Sequence, residues 1–332
     1  MDPHLTSLGS VLTRTDERLR AGSDPTRLWP SGFPILDDVL SGGFRAGSLV
    51  LLAGPQGLGK TTLALQVARN VAVAGRPVVY FSFEHDPESL LERLIALESG
   101  LIADHDSPGL NKIRAAFEAT GKGLGGLTER LAGTPAGLAS VQRVASYADR
   151  LHLHRSTGAT TSLDVIAAAA REVAELTGAA PMLVVDYLQK VKVENGSNFE
   201  DERVTIVVEG LKDLAIDVDA PVLSVVAADK AGLQSGKRMR AQHLRGSTAL
   251  AYEADVLLVL ENKFDLVARH HLVYASGNLE RYKQLAVLSI AKNRHGFDGI
   301  DLEFRKRFEQ SRFHTDGNRV AEQLVDERLY VE

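Results

Sequence analysis

The stretch SLVLLAGPQGLGKTTLALQVARNVAVA, residues 48–74, limits the possible folds more than any other part of the chain. An uninterrupted apolar run of strand length is followed by a glycine-rich loop and then by a helix-length stretch rich in alanine and aliphatic residues. A strand without polar alternation is typical of a sheet covered on both faces. The stretch therefore predicts an α/β fold in which a buried strand leads through a tight loop into a helix.

Strand-length apolar runs and helix-length segments continue to alternate along the chain. Its 332 residues, 44% of them hydrophobic, are enough for a large core. The pattern predicts a mostly parallel twisted sheet flanked by helices, with residues 1–28 as an N-terminal tail or linker, 29–312 as the folded domain and 313–332 as a C-terminal tail. The candidate strands are 48–54, 78–83, 182–186, 221–228, 255–260, 285–291 and 300–304.

The loop GPQGLGKTT fits the pattern G-x-x-x-x-G-K-[ST], which binds phosphates when it follows a strand and opens a helix. Glycines let backbone N–H groups turn toward the phosphates, the lysine supplies positive charge to the β- and γ-phosphates, and the hydroxyl of Thr61 is suited to magnesium. A glycine-rich turn that matches by chance is the alternative. The predicted nucleotide-binding residues are Gly54, Pro55, Gln56, Gly57, Leu58, Gly59, Lys60, Thr61 and Thr62.

Two carboxylates follow other predicted strands. Asp186 ends the run MLVVD, at the edge of an open sheet where ligands gather, and is a candidate magnesium ligand. A capping aspartate is the alternative there. Glu84 follows VVYFSF and is a candidate for polarising an attacking water, although position alone fits an ordinary acid at a helix entry before Pro87 equally well.

Composition excludes several classes of protein. The chain has no cysteine, which excludes disulfides, thiolate metal sites and cysteine nucleophiles. No segment has the roughly 18 consecutive apolar residues of a spanning helix, and the N-terminus lacks an apolar signal sequence, so we expect a cytoplasmic protein with no membrane partner. The net charge of −5 gives no overall indication of nucleic-acid binding, which would need a local basic patch.

A family resemblance rests on five motifs in order: LDDVLSGGFRAGSLVLLAGPQGLGKTT, VVYFSFEH, LVVDYLQ, LRGSTALAYEADVLLVLE and IAKNRHG. Together they resemble the ATPase domain of DnaB-type replicative helicases, within the RecA-like superfamily, over roughly residues 30–310. The phosphate loop alone is generic. The DYLQ, LRGSTALAYEAD and KNRHG motifs make the resemblance more specific, and it implies a RecA-like P-loop NTPase core.

The resemblance assigns roles to individual residues. It implies that Lys60 and Thr61 bind the phosphates of ATP and Mg²⁺, that Asp186 is the Walker B acid and that Glu84 is the catalytic base. It also implies that Lys292 and Arg294 project from a neighbouring subunit onto the γ-phosphate, so that the active site is completed only in a ring, with a hexamer expected. Without the resemblance, KNRHG would be interpreted as a polar turn.

The sequence departs from the family pattern in two places. Family members usually carry a γ-phosphate-sensing glutamine at the end of the strand that corresponds to PVLSVVAADK, where this chain has Ala227. Alanine cannot form that hydrogen bond, so the coupling of hydrolysis to DNA movement would need another residue, such as Asp229. Only about 28 residues precede the match, so we expect no N-terminal primase-contact domain and favour a plasmid, phage or accessory type.

One segment, DKAGLQSGKRMRAQHLR at 229–245, is locally basic. Its composition predicts an exposed loop, and the corresponding loops of the resembled family grip single-stranded DNA. A solvated loop without a ligand is the alternative. The segment has no aromatic residue, which favours contact with the DNA backbone over base stacking. The candidate DNA-binding residues are Lys230, Lys237, Arg238, Arg240 and Arg245.

These features predict a ring-forming, ATP-dependent DNA motor that moves on single-stranded DNA and separates the duplex. Two alternatives stay open. One is a recombination or repair ATPase of the RecA or RadA type, and the other is a RecA-like regulatory ATPase that acts on protein partners. The missing glutamine favours the regulatory ATPase, whereas the basic segment argues against it.

Overall fold

A computed structural model describes residues 5–21, 27–121, 123–194, 199–229, 238–268, 271 and 276–326. The strands are β1 Leu28–Trp29, β2 Phe44–Arg45, β3 Leu49–Gly54, β4 Val78–Ser82, β5 Leu151–Arg155, β6 Met182–Asp186, β7 Val222–Ala227, β8 Val256–Asn262, β9 Leu285–Asn293, β10 Ile300–Arg307, β11 Arg312–Phe313 and β12 Asn318–Arg319. The helices are α1 Leu8–Arg20, α2 Pro34–Val39, α3 Lys60–Val73, α4 Pro87–Ala103, α5 Leu110–Glu118, α6 Leu127–Leu131, α7 Gly137–Ala145, α8 Leu163–Thr177, α9 Glu200–Asp217, α10 Ala249–Glu253, α11 Lys263–Leu266 and α12 Ser276–Lys283.

The main sheet has the strand order β11-β10-β9-β8-β3-β7-β6-β4-β5, and β12 pairs with β10. The strands from β8 to β5 in this order are parallel. Strands β9 and β10 extend the sheet in the antiparallel direction. We call the side where the parallel strands end the carboxyl edge, and the opposite side the amino edge. The predicted α/β class with a mostly parallel sheet is confirmed.

Side-chain alternation along the strands builds a core on each face of the sheet. In β3, Val50 and Leu52 join one buried cluster, which also takes in apolar side chains of α3 and α4. Leu49, Leu51 and Ala53 join a second cluster with α8 and α9. Because both faces are covered, the central strands need no polar face, which is why they form continuous apolar runs.

Three features differ from the expected organisation. Strand β5, LHLHR, was not among the predicted strands because its histidines interrupt the apolar pattern, and it pairs only with β4 in the described sheet. The expected N-terminal tail contains α1, none of whose residues is buried. The expected C-terminal tail begins inside β11, continues as β12, and is bridged by Leu324 to Val267. Within the described residues, the segment 313–326 therefore contacts the sheet domain.

A buried lysine anchors this C-terminal segment. The side chain of Lys263, at the start of α11, is fully buried and pairs with Glu303 of β10 and with Glu322. A buried ammonium group without partners would be strongly destabilising, and the two carboxylates compensate its charge. These ion pairs hold the segment after β12 against the antiparallel part of the sheet.

Candidate active site at the carboxyl edge

The phosphate loop lies at the carboxyl edge, between the end of β3 at Gly54 and the start of α3 at Lys60. Gly54 has φ +153°, and a Cβ atom there would lie 2.3 Å from the backbone oxygen of Leu260 in the neighbouring strand. Gly59 has φ +87°, and its Cβ would lie 2.7 Å from the ring of Phe308. Both positions combine an unusual backbone angle with close packing, so glycine is required at each.

Lys60 folds back over this loop. Its Nζ donates hydrogen bonds to the backbone oxygens of Gly54, at 2.7 Å, and Pro55, at 2.8 Å. Burial lowers the pKa of Lys60, while the carboxylates of Asp186 and Glu84 act in the opposite direction. A further negative charge beside Nζ would stabilise its charged form, which is what a bound phosphate would supply.

Asp186 ends β6 and is 2% exposed. The hydroxyl of Tyr80, one strand away, donates a 2.9 Å hydrogen bond to its Oδ2. Burial raises the pKa of Asp186, whereas hydrogen bonds from Thr61 and Tyr80 and the charge of Lys60 lower it. A carboxylate and a hydroxyl side by side are oxygen donors of the kind that Mg²⁺ prefers, and a cation would favour the ionised form of this buried acid. The predicted metal residues therefore fit that ion.

Glu84 lies in the turn between β4 and α4, with its side chain exposed. Ser82 secures this turn, because its Oγ donates to the backbone oxygen of His85 at 2.7 Å and accepts from its N–H at 3.0 Å. Together these elements enclose a cleft of about 550 Å³. The predicted residues that line it are Gly54, Gln56, Gly57, Gly59, Lys60, Thr61, Thr62, Glu84, Asp186 and, from the basic segment, Arg245. Pro55 contributes its carbonyl to Lys60, and Leu58 is buried in the core.

Arg93 and Phe308 are among the cleft residues that the sequence did not predict. Arg93 comes from α4, where burial lowers its pKa, and its Nε has no hydrogen-bond partner among the described residues. Phe308 comes from the turn after β10 and packs edge-on against Phe313, with 5.4 Å between ring centroids. Neither has a local motif, because each reaches the cleft only through the packing of distant segments.

Lys292 and Arg294 lie at the other end of the sheet. Lys292 is paired with Leu257 near the start of β8, and its Nζ donates to the backbone oxygens of Ala251, at 2.7 Å, and Tyr252, at 2.9 Å. Arg294 Nη1 donates a 3.3 Å hydrogen bond to Asp255 Oδ1, and Nη2 donates to the backbone oxygen of Tyr252. Both cations are therefore at the amino edge.

The register of the strands gives the separation of the two edges. Asn293 is level with Val256, which is level with Val50 in β3, so Arg294 is about five residues from the level of Gly54. At about 3.3 Å per residue, that is roughly 16 Å along the strand direction. Neither Lys292 nor Arg294 lines the cleft of its own chain.

The basic segment 229–245 was predicted to be an exposed loop, and its described arginines do not all fit that prediction. Lys230 and Lys237 lie outside the described residues. Arg238 is 12% exposed, pairs with Asp301 and donates to Ser289 Oγ at 3.1 Å, so the expectation that it faces DNA is corrected to an internal ion pair. The described side chains that remain half-exposed are Arg240, paired with Asp326, and Arg245, paired with Glu200 at 2.9 Å.

A family model described as DnaB-like helicase C terminal domain matches residues 29–314. The chain belongs to this family. It is 25% identical over 300 residues to the replicative DNA helicase DnaB of Treponema pallidum (strain Nichols), covering 90% of this chain and 58% of the relative. A stretch of 79 residues is 44% identical to the DNA repair protein RadA of Mycolicibacterium smegmatis, covering 24% of this chain and 16% of the relative. The resemblance predicted from the motifs is thereby confirmed.

A solved structure described as "The Structure Of A DnaB-Like Replicative Helicase And Its Interactions With Primase" has the same fold as this DnaB-like chain. The two align with a TM-score of 0.71 at 21% identity, covering 92% of this chain and 68% of that chain. The chain spans little more than half the length of the curated DnaB relatives from Treponema pallidum and Haemophilus influenzae. Within the ranges that the structure describes, no helix is both long and apolar enough to cross a membrane.

Proposed function

We propose that this DnaB-like chain hydrolyses ATP with magnesium, assembles into a ring and uses the hydrolysis to move along single-stranded DNA and separate the duplex. One observation carries the proposal. A single cleft holds a phosphate loop with Lys60, a buried acid–hydroxyl pair in Asp186 and Thr61, and the exposed carboxylate of Glu84. These are the parts that phosphoryl transfer to water requires.

Each part has a task that follows from its surroundings. Lys60 and the loop N–H groups bind the β- and γ-phosphates, and Thr61 and Asp186 hold the magnesium ion. When bound, magnesium neutralises charge on the phosphate oxygens. Glu84 polarises the attacking water, since its carboxylate lines the cleft and is exposed. Arg93 adds a cation to the lining of the same cleft.

The location of Lys292 and Arg294 supports a site shared between subunits. Both are held on backbone oxygens at the amino edge, roughly 16 Å from the level of their own phosphate loop. They therefore serve the cleft of a neighbouring copy, and a closed ring lets every copy give and receive them. The exposed leucines of α1, Leu8, Leu12 and Leu19, offer further apolar surface for contact between copies.

Single-stranded DNA is the proposed track, since the curated relatives are named replicative DNA helicases. The proposed contacts are Lys230, Lys237, Arg240 and Arg245, while Arg238 is left out because Asp301 already neutralises it. We place this activity in the cytoplasm. The RadA match supports one alternative, a DNA-remodelling ATPase that does not unwind.

The test is ATP hydrolysis by the purified chain with magnesium, with and without single-stranded DNA, followed by a duplex-separation assay. We expect DNA to stimulate hydrolysis and the stimulation to weaken with salt. Stimulation without duplex separation would favour the RadA-like alternative. Hydrolysis that ignores DNA would overturn the DNA motor and favour a regulatory ATPase with protein partners.

The salt dependence of DNA binding tests the proposed contacts. Replacing Lys230, Lys237, Arg240 and Arg245 with alanine should make the plot of log K against log salt shallower, by roughly 0.7 for each lost phosphate contact. The exposed residues Lys112 and Arg319 provide a control with the same type of substitution. An unchanged slope in the fourfold variant would place the DNA elsewhere.

A further inference from the structure

The side chain of Gln189 connects three backbone segments beside the cleft. Gln189 lies in the 3-10 turn Leu188–Lys190, three residues after Asp186. Its Oε1 accepts a 3.2 Å hydrogen bond from the N–H of Ala227, at the end of β7. Its Nε2 donates a 2.9 Å hydrogen bond to the backbone oxygen of Arg245. The donor and the acceptor of one side-chain amide thus connect the end of a core strand to the basic segment.

A backbone hydrogen bond closes this arrangement. The N–H of Arg245 donates to the backbone oxygen of Ala227 at 3.0 Å, so Gln189, Ala227 and Arg245 form a ring of three hydrogen bonds. The side chain of Arg245 lines the cleft and pairs with Glu200, the first residue of α9. A displacement of the turn after Asp186 would therefore act directly on the backbone that carries Arg245.

Ala227 makes this connection important. It lines the cleft, but its side chain has no polar atom and cannot form a hydrogen bond with a phosphate or with the basic segment. Gln189 makes the polar contact instead, from the adjacent strand end, and it contacts the backbone of Ala227 itself. Asp186, the proposed metal-binding acid, is thus connected to the basic segment through the turn that follows it and the side-chain amide of Gln189.

We propose that Gln189 is a positioning residue that couples the nucleotide cleft to the proposed DNA-contacting segment through the backbone of Ala227 and Arg245. The proposal rests on the function proposed above, because it concerns how the same cleft responds to DNA. Gln189 does not line the cleft, so its loss should leave ATP binding and DNA-independent hydrolysis in place. What should be lost is the response of hydrolysis to single-stranded DNA.

Two substitutions distinguish the hydrogen bond between Gln189 and Ala227 from the hydrogen bond between Gln189 and Arg245. Gln189→Ala removes both side-chain hydrogen bonds. Gln189→Glu keeps an acceptor for the N–H of Ala227 but has no donor for the backbone oxygen of Arg245. The matched control is Gln284→Ala, which removes an exposed amide that accepts from Arg305 at 2.9 Å on the antiparallel part of the sheet.

The experiment measures ATP hydrolysis by the full chain at saturating ATP, with and without single-stranded DNA, together with ATP affinity and the midpoint of thermal unfolding. For both Gln189 variants we expect hydrolysis without DNA within about twofold of wild type, and a ratio of stimulated to basal rates lower by about fivefold or more, the usual size of a coupling between sites. Gln284→Ala should retain the wild-type ratio. A contact that only stabilises the fold would move the unfolding midpoint and leave the ratio intact.

Several results would overturn the proposal. One such result is stimulation of hydrolysis by DNA by the same factor in wild type and in both Gln189 variants. That result would contradict the coupling role of Gln189 and leave the proposed DNA motor in place. If the variants lose basal hydrolysis along with stimulation, Gln189 serves the cleft itself and not its connection to DNA. A wild-type chain indifferent to DNA would remove both the motor and this inference.

Discussion

The two edges of the sheet both carry clustered polar residues, but they are built differently. At the carboxyl edge, Lys60 and Asp186 lie around a cleft. Burial lowers the pKa of Lys60 and raises the pKa of Asp186, so it favours the uncharged form of each. At the amino edge, Lys292 and Arg294 are partly exposed, and their side chains rest on backbone oxygens and on Asp255. At the carboxyl edge, a bound anion would stabilise charged Lys60 and a bound cation would stabilise ionised Asp186. The amino edge presents positive charge.

This difference shows how one chain can hold two parts of a reaction that do not meet within it. In the proposed function the carboxyl edge binds a phosphate by itself, because its residues come from neighbouring strand ends. The amino edge is separated from it by the length of the strands, which no side chain spans. The proposed function therefore predicts that mutations at the first edge abolish ligand binding, and that mutations at the second spare binding and affect turnover.

The largest effect is expected at the carboxyl edge, from Lys60→Ala. Removing the ammonium group leaves the phosphates without their nearest cation, so hydrolysis should fall by more than about 100-fold and ATP affinity should drop with it. The measurements are steady-state hydrolysis and equilibrium binding of a fluorescent ATP analogue. Lys112→Ala, on the exposed face of α5, is the control. Unchanged hydrolysis in Lys60→Ala would show that the phosphate site is wrongly assigned.

At the amino edge, Arg294→Ala should keep ATP affinity and reduce turnover, by about 10³-fold if it acts as an arginine finger. Mixing tests the shared site. Arg294→Ala and Glu84→Gln subunits are each expected to be inactive alone, but a mixed ring contains some interfaces with both residues intact. Hydrolysis that reappears on mixing would support the arrangement. If no ratio of the two restores activity while Arg319→Ala behaves as wild type, the shared site is contradicted.

A smaller effect is expected from a buried acid that takes no part in the cleft. Glu261, at the end of β8, accepts a 2.6 Å hydrogen bond from the N–H of Met239, and its other oxygen has no partner among the described residues. Burial raises the pKa of Glu261 from its usual 4.5 to about 7, the charge of Asp301 adds to the rise, and Arg238 and Arg240 oppose it.

The sign of the pH effect follows from that shift. Between about pH 4.5 and 7 the folded chain holds the proton of Glu261 more tightly than the unfolded chain, so its contribution to stability falls as the pH rises through this window. Glu261→Gln lacks this titration and should gain stability relative to wild type as the pH rises through the same window, measured by urea unfolding. The control is Glu202→Gln, an exposed position on α9. Parallel pH profiles for Glu261→Gln and wild type would contradict the raised pKa.

Local patterns were sufficient for much of the fold and for the centre of the site. Every predicted strand overlaps an observed one, and the loop from Gly54 to Thr62 lies where its motif indicated. These signals are carried by residues close together in sequence, which is why they can be recognised without a structure. Strand β5 was missed because an edge strand does not need the apolar run that identifies a central one.

The phosphate-loop motif, the acid Asp186 at a strand end and the resemblance to the DnaB-like family could all be recognised from short stretches of sequence. The folded chain was needed to show that Arg238 pairs with Asp301, that Arg93 and Phe308 line the cleft, and that Gln189 contacts both Ala227 and Arg245. A loop motif needs only its own backbone and the strand and helix beside it. Ion pairs and hydrogen bonds between residues 38 to 63 positions apart depend on how the strands are ordered, which no short pattern specifies.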